Sequence, residues 1–130
     1  MVLQQQPCPC GTTEDYALCC GPLLAGEQTA STAEALMRSR YTAFVVGNET
    51  YLAASWHSQT RPDDASPPVG IEWRRLRIRD TQAGGPDDAT GVVEFIAHFR
   101  TADGQRDFLH ERSEFARENG CWVYVSGDIL

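Results

Sequence analysis

Four of the chain's five cysteines stand within its first twenty residues, Cys8 and Cys10 flanking Pro9 and Cys19 beside Cys20. Thiolates at that spacing bind a soft metal ion. In an extended segment Cys8 and Cys10 project to the same side, because strand side chains repeat with period two. Pro9 stiffens the arm, and Gly11 lets the chain turn. Thr13, Glu14 and Asp15 read as the polar start of one helical turn that delivers Cys19 and Cys20 at its far end. Four converging sulfurs make a closed tetrahedral shell, which suits one structural Zn2+ and leaves no coordination position for a reacting water. An iron–sulfur cluster is the alternative, although its thiolate ligands are ordinarily spaced rather than adjacent.

Disulfide pairing of these cysteines would need an oxidising compartment. Residues 1–6 contain no basic segment leading into an apolar core, and no stretch approaches the roughly 18 apolar residues of a membrane span. The expectation is a cytoplasmic protein with no membrane partner, whose reduced thiols hold metal.

Cys8, Pro9, Cys10 and Gly11, with the eight residues 11–18 separating Cys10 from Cys19, Cys20 and Gly21, resemble a SEC-C motif. That motif is a small zinc module, best known at the C-terminus of the protein-translocation ATPase SecA as a docking tag for the chaperone SecB and the ribosome. Many of its copies carry His as the last ligand, where this chain has Cys20. Further along, Gly26 and Glu27, Met37 to Tyr41, Ala43 and Phe44, Tyr51 and Leu52, Trp56 and His57, Val93 to Phe95, Glu111 to Ser113 and Trp122 to Tyr124 resemble the bacterial YchJ-like proteins. The resemblance covers nearly the whole chain. It implies an NTF2-like α+β body, residues 29–130, behind a zinc module of residues 1–28, in a family with no assigned activity.

The residue pattern leads to the same order of elements. A chain of 130 residues is one ordinary domain. Ser31 and Glu34 fit a capping box, and Leu36, Met37, Tyr41, Phe44 and Val45 recur at helical spacing before Gly47. Asn48 caps a shorter helix carrying Tyr51, Leu52 and Trp56. Residues 58–70, with three prolines, read as a loop. Strands follow over Ile71 to Asp80, with a bulge near Arg74 and Arg75, then Val92 to Arg100, Phe108 to Phe115 and Trp122 to Ser126, with turns at Gly84 to Asp88, Ala102 to Gly104 and Asn119 with Gly120. Helices followed by an antiparallel meander define an α+β fold, a curved sheet packed on helices.

Eleven arginines, no lysine and eighteen acidic residues give a net charge of −7, which disfavours nonspecific nucleic-acid binding unless a local basic patch overrides the field. The one basic concentration is Arg74 to Arg79. Alternation places Arg75, Arg77 and Arg79 on one face, and the simplest expectation pairs them with carboxylates of neighbouring strands; contact with RNA or an acidic protein is the other reading.

Catalytic signatures are weaker. His110 and Glu111 open like a metalloprotease motif, but Glu114 stands where the second histidine belongs. His57 reads as a helix-capping histidine, His98 as structural and Cys121 as a half-buried core residue. Glu111 and Ser113 lie on an apolar strand face, where a carboxylate either pairs with Arg38, Arg40 or Arg100 or faces a polar pocket. These patterns predict an adaptor without catalytic residues, whose zinc module contacts a protein partner or the ribosome. The alternative is a small-molecule-binding or enzymatic pocket lined by Arg38, Tyr41, Trp56, Glu111 and Tyr124, with zinc as a staple. A filled cone favours the adaptor; an open cavity with a polar floor favours the pocket.

Overall fold

In a computed structural model, which describes residues 6–130, the expected meander is present as a single four-stranded antiparallel sheet in the order β1-β2-β3-β4. The first five residues of the expected 1–28 module lie outside the described residues. The strands are β1 (Glu72–Ala83), β2 (Thr90–Arg100), β3 (Arg106–Glu118) and β4 (Cys121–Ile129). Each extends beyond its sequence-read core, because ladder pairing carries polar end residues that hydrophobic alternation does not mark. Asn119 and Gly120, at φ 55° and 81°, form the tight turn into β4.

Helices α1 (Cys20–Leu24), α2 (Ala33–Val46) and α3 (Glu49–Ala54) precede the sheet. The α2 cap is Thr32, not Ser31: the Thr32 hydroxyl accepts from Ala35 N at 3.0 Å. Glu34 falls in the first turn and accepts from Arg38 Nε at 2.9 Å instead of closing a capping box. Gly47, left-handed at φ 75°, ends α2, and Asn48 Oδ1 accepts from Tyr51 N to start α3. Trp56 lies beyond α3, in a bridge with Tyr124.

One apolar stripe of α2 meets the inner face of the sheet. Leu36, Met37 and Tyr41 bury against Leu76, Val93, Phe95, Ala97, Phe115 and Trp122, where each large apolar side chain is stabilised by about 1.5–3 kcal/mol. Register shifts between Trp73 and Arg75 and between Ile78 and Asp80 bend β1. The first is the expected bulge. The second, which the mixed Arg and Ile pattern does not mark, lengthens the strand past Asp80 and sets Arg79 out of simple alternation. Cys121 is exposed rather than half-buried, because it opens β4 on the solvent side of the hairpin.

Candidate metal centre and body cavity

The two cysteine arms meet as the sequence requires, by a different route. Cys8 and Cys10 sit in a turn rather than an extended segment: Gly11 N donates to Cys8 O at 3.1 Å, with Pro9 at the second position of the turn, where its fixed φ suits it. Pro7 bridges Asp15, and Cys8 N donates to Glu14 O at 2.7 Å, so the arm folds back on the next segment. A 3-10 turn, Tyr16–Leu18, ends before Cys19; Cys20 then opens α1 instead of closing a helical turn. Cys19 between them is kinked, at φ −123° and ψ −102°, which lets two adjacent residues address one point. A Cβ on Gly21 would lie 2.7 Å from Tyr16 O, so only glycine permits this return of the chain.

All four Sγ atoms lie within 4.8 Å of one another, with Cys10 to Cys19 at 3.6 Å and Cys19 to Cys20 at 4.0 Å. Four sulfurs held about 2.3 Å from a central ion stand about 3.8 Å apart, so the donor set fits a tetrahedral metal ion. Cys8, Cys10 and Cys20 are buried; Cys19 is half-buried. Among the four thiols, hydrogen bonds from Cys20 and Cys8 hold Cys10 far below the ordinary thiol range, whereas the hydrogen bonds to Cys10 and Cys8, and then burial, push Cys20 far up. Burial raises Cys19 to about 11. The cluster therefore accommodates one thiolate readily and resists four, unless a cation compensates them.

The site is anchored to the body. Thr42 of α2 lies 3.7 Å from Cys8 Sγ through its hydroxyl, Thr12 Oγ1 is 3.0 Å from Cys19 Sγ, and Arg38 Nη1 donates to Cys10 O at 2.7 Å. Arg38, expected in the pocket, thus faces the metal module. The helical stripe explains the correction: Arg40 is four residues from both Leu36 and Phe44, while Arg38 lies off that face.

Arg40 takes that place in a cavity of about 270 Å3 beneath the sheet, whose walls include Tyr41, Trp56, Glu111, Tyr124, Trp73 and Pro68 of the 58–70 loop. Arg40 is 3% exposed. Its Nη1 donates to Leu52 O at 2.8 Å and to Ser55 Oγ at 2.7 Å, and Cζ lies 5.1 and 4.9 Å from the Trp56 and Tyr124 ring centres. Burial lowers its pKa to about 10, so it remains cationic at neutral pH. Among the described residues Glu111 forms no ion pair. It accepts from Ser113 Oγ at 2.6 Å and Tyr124 Oη at 2.9 Å, and it lies over Gly127, where a Cβ would come 2.0 Å from Oε2. Burial, and then the Glu111 charge, raises the Tyr124 phenol well above its ordinary range. Trp56 Nε1 is buried with no acceptor among the described residues.

His57 is not a helix cap. Its backbone N donates to Tyr124 O at 2.8 Å, and Nδ1 accepts from Gln59 N at 3.1 Å, fixing the loop after α3. His98 packs against Phe108, and His110 Nε2 lies 2.8 Å from Glu94.

A thiol module on an NTF2-like body is the class that this geometry defines. The family model described as "YchJ, middle NTF2-like domain" matches residues 32–127, and the chain belongs to that YchJ-like family. It is 48% identical over 124 residues to a UPF0225 protein of Streptomyces coelicolor, spanning 95% of this chain and 96% of that one. A UPF0225 protein of Corynebacterium glutamicum is 48% identical over 123 residues, 94% and 96% of the two chains. Among solved structures, a SEC-C motif containing protein from Rhodopseudomonas palustris superposes with a TM-score of 0.84 at 34% identity, covering 96% of this chain and 99% of that one. A second, from Psychrobacter arcticus, gives 0.79 at 27% identity, covering 100% and 86%. Among the described residues, no helix is long and apolar enough to cross a membrane.

Proposed function

We propose that this protein is a zinc-stapled cytoplasmic binding protein whose body holds a small apolar molecule by an oxygen head group. The observation that carries the reading is the pairing of donors in one cavity. Arg40, a cationic donor 3% exposed, and Trp56, whose Nε1 is buried without an acceptor among the described residues, both line it. A buried donor without an acceptor is unfavourable by about 1–3 kcal/mol, so a carbonyl or carboxylate oxygen, set beside the Arg40 cation, is the complementary head group. Aromatic walls suit a ring or short chain behind it. At about 270 Å3 the cavity lies just under the roughly 300–1,000 Å3 of ligand pockets, so the occupant is small. Calorimetric titration with phenylacetate, phenylacetamide, benzylamine and toluene tests the reading. The two oxygen-bearing compounds bind and the other two do not; preference for the amine would make Glu111 the recognition group and sink the assignment.

The metal is assigned as one structural Zn2+ held by Cys8, Cys10, Cys19 and Cys20, because four thiolates leave no open position. Elemental analysis should find one zinc per chain, and Cys10→Ser should lower it sharply. An adaptor role draws on Leu18, an apolar side chain 73% exposed immediately before the Cys19 ligand. Capture from a lysate with the intact protein and with a Cys19→Ser, Cys20→Ser variant tests whether the module holds a protein partner or the ribosome. Retention of the same proteins by both forms would end that reading.

A further inference from the structure

The outer face of the sheet sorts its charges by position along the strands. In the middle, Glu94 accepts from Arg112 Nη1 at 2.9 Å and lies 2.8 Å from His110 Nε2, while Asp80 takes the same Arg112 at 3.2 Å. Those carboxylates are therefore engaged, and among the described residues Arg75, Arg77 and Arg79 are exposed without the neighbouring-strand ion pairs the sequence leads one to expect. Toward the β2-β3 hairpin the register sets Arg75 beside His98 and His98 beside Phe108, and in the next row Arg100 beside Arg106. Arg100 Nε is buried with no partner among the described residues. Arg74, Arg75, Arg100 and Arg106 line a shallow groove of about 330 Å3 together with His98 and two non-basic residues, Phe99 and Asp107. Within this field, Phe108 is 56% exposed and lies with its ring centre 6.2 Å from that of His98.

We propose that this end of the sheet binds single-stranded nucleic acid, with the arginines on the phosphates and Phe108 stacked on a base. A single guanidinium recognises a phosphate by two parallel hydrogen bonds, and an exposed aromatic ring amid cations is the arrangement on which unpaired bases stack. A duplex hides its base faces and would leave Phe108 unused. An acidic peptide would satisfy the arginines but give the ring no partner. The chain's net charge of −7 does not cancel the patch, because a Debye length of about 8 Å at physiological salt confines each exposed charge to its neighbourhood. Glu72 withdraws only Arg74, at 3.2 Å.

The test is fluorescence anisotropy of the full, zinc-loaded chain with a labelled oligo-uridylate about twelve nucleotides long. Oligo-thymidylate runs in parallel to separate RNA from DNA. Binding should saturate at low salt. It should weaken at least tenfold in an Arg75→Gln, Arg77→Gln, Arg106→Gln variant, which also flattens the slope of log affinity against log salt by about 2. Phe108→Ala should lose about fivefold, and Arg61→Gln, away from the patch, should change affinity less than twofold. The altered side chains are exposed, and thermal melts of each variant confirm the fold. Binding of neither oligonucleotide, unchanged affinity in the triple variant, equal affinity for a duplex of the same length, or tighter binding of oligo-glutamate would each overturn the proposal.

Discussion

Replacing Arg40 by methionine separates a residue kept for ligand binding from one kept for stability. The guanidinium is 3% exposed, and burial lowers its pKa from 12.5 to about 10. That difference corresponds to on the order of 3 kcal/mol of desolvation penalty. The sign is that of a base with a depressed folded-state pKa: the penalty is full at neutral pH and is relieved only as pH rises from about 10 toward 12.5. Against it stand the bonds to Leu52 O and Ser55 Oγ and the contacts with two aromatic rings, together of similar size. Methionine fills the stem's volume and removes the penalty. Ser55 still donates to Tyr51 O at 2.6 Å, so few groups are orphaned. The expected change is within about 1.5 kcal/mol of zero, a Tm difference under about 6 °C, with loss of phenylacetate binding. Urea denaturation of the zinc-loaded protein at constant m-value measures it. A loss above about 4 kcal/mol would refute the reasoning and make Arg40 a structural keystone.

Chelation should loosen the metal module first. Hydrogen exchange over residues 6–25 should rise while the amides of β2 and β3 stay protected, since the main core contains no cysteine; cooperative melting of the whole chain would contradict this. Gly21→Ala forces a Cβ to within 2.7 Å of Tyr16 O, so it should cost about 1–3 kcal/mol and weaken metal retention in a chelator competition. Gly127→Ala drives a Cβ against Glu111, which must give up Ser113 and Tyr124; a loss of about 2–4 kcal/mol is expected, and Ser113→Ala in the same background should add little because the bond is already broken. Zinc affinity should fall as pH is lowered, because protons compete for thiols such as Cys19, which burial raises to about 11 without metal.

The ligand set could be read from spacing because four thiols in twenty residues have few other uses, and the strand order because alternation and turn residues agree along β2, β3 and β4. What the sequence hid follows from through-space packing. Cys8 and Cys10 converge by a turn rather than by strand parity, a difference invisible in a motif that either geometry satisfies. The Arg38 and Arg40 exchange was legible in principle, since the Leu36, Arg40, Phe44 spacing places a cation on the buried stripe. The second β1 bulge and the engagement of Glu94 by Arg112 and His110 depend on register, which no single strand carries.

The most direct test is a 15N-correlated NMR spectrum of the zinc-loaded chain titrated with phenylacetate, read at the three tryptophan indole signals. The Trp56 Nε1–H signal should move downfield and saturate, because its proton gains an acceptor, and it should stay still in Arg40→Met. Trp122, which already donates to Ser31 O at 3.3 Å, should barely respond. An unmoved Trp56 signal at millimolar phenylacetate and phenylacetamide would contradict the account and leave the cavity without a ligand of the proposed class.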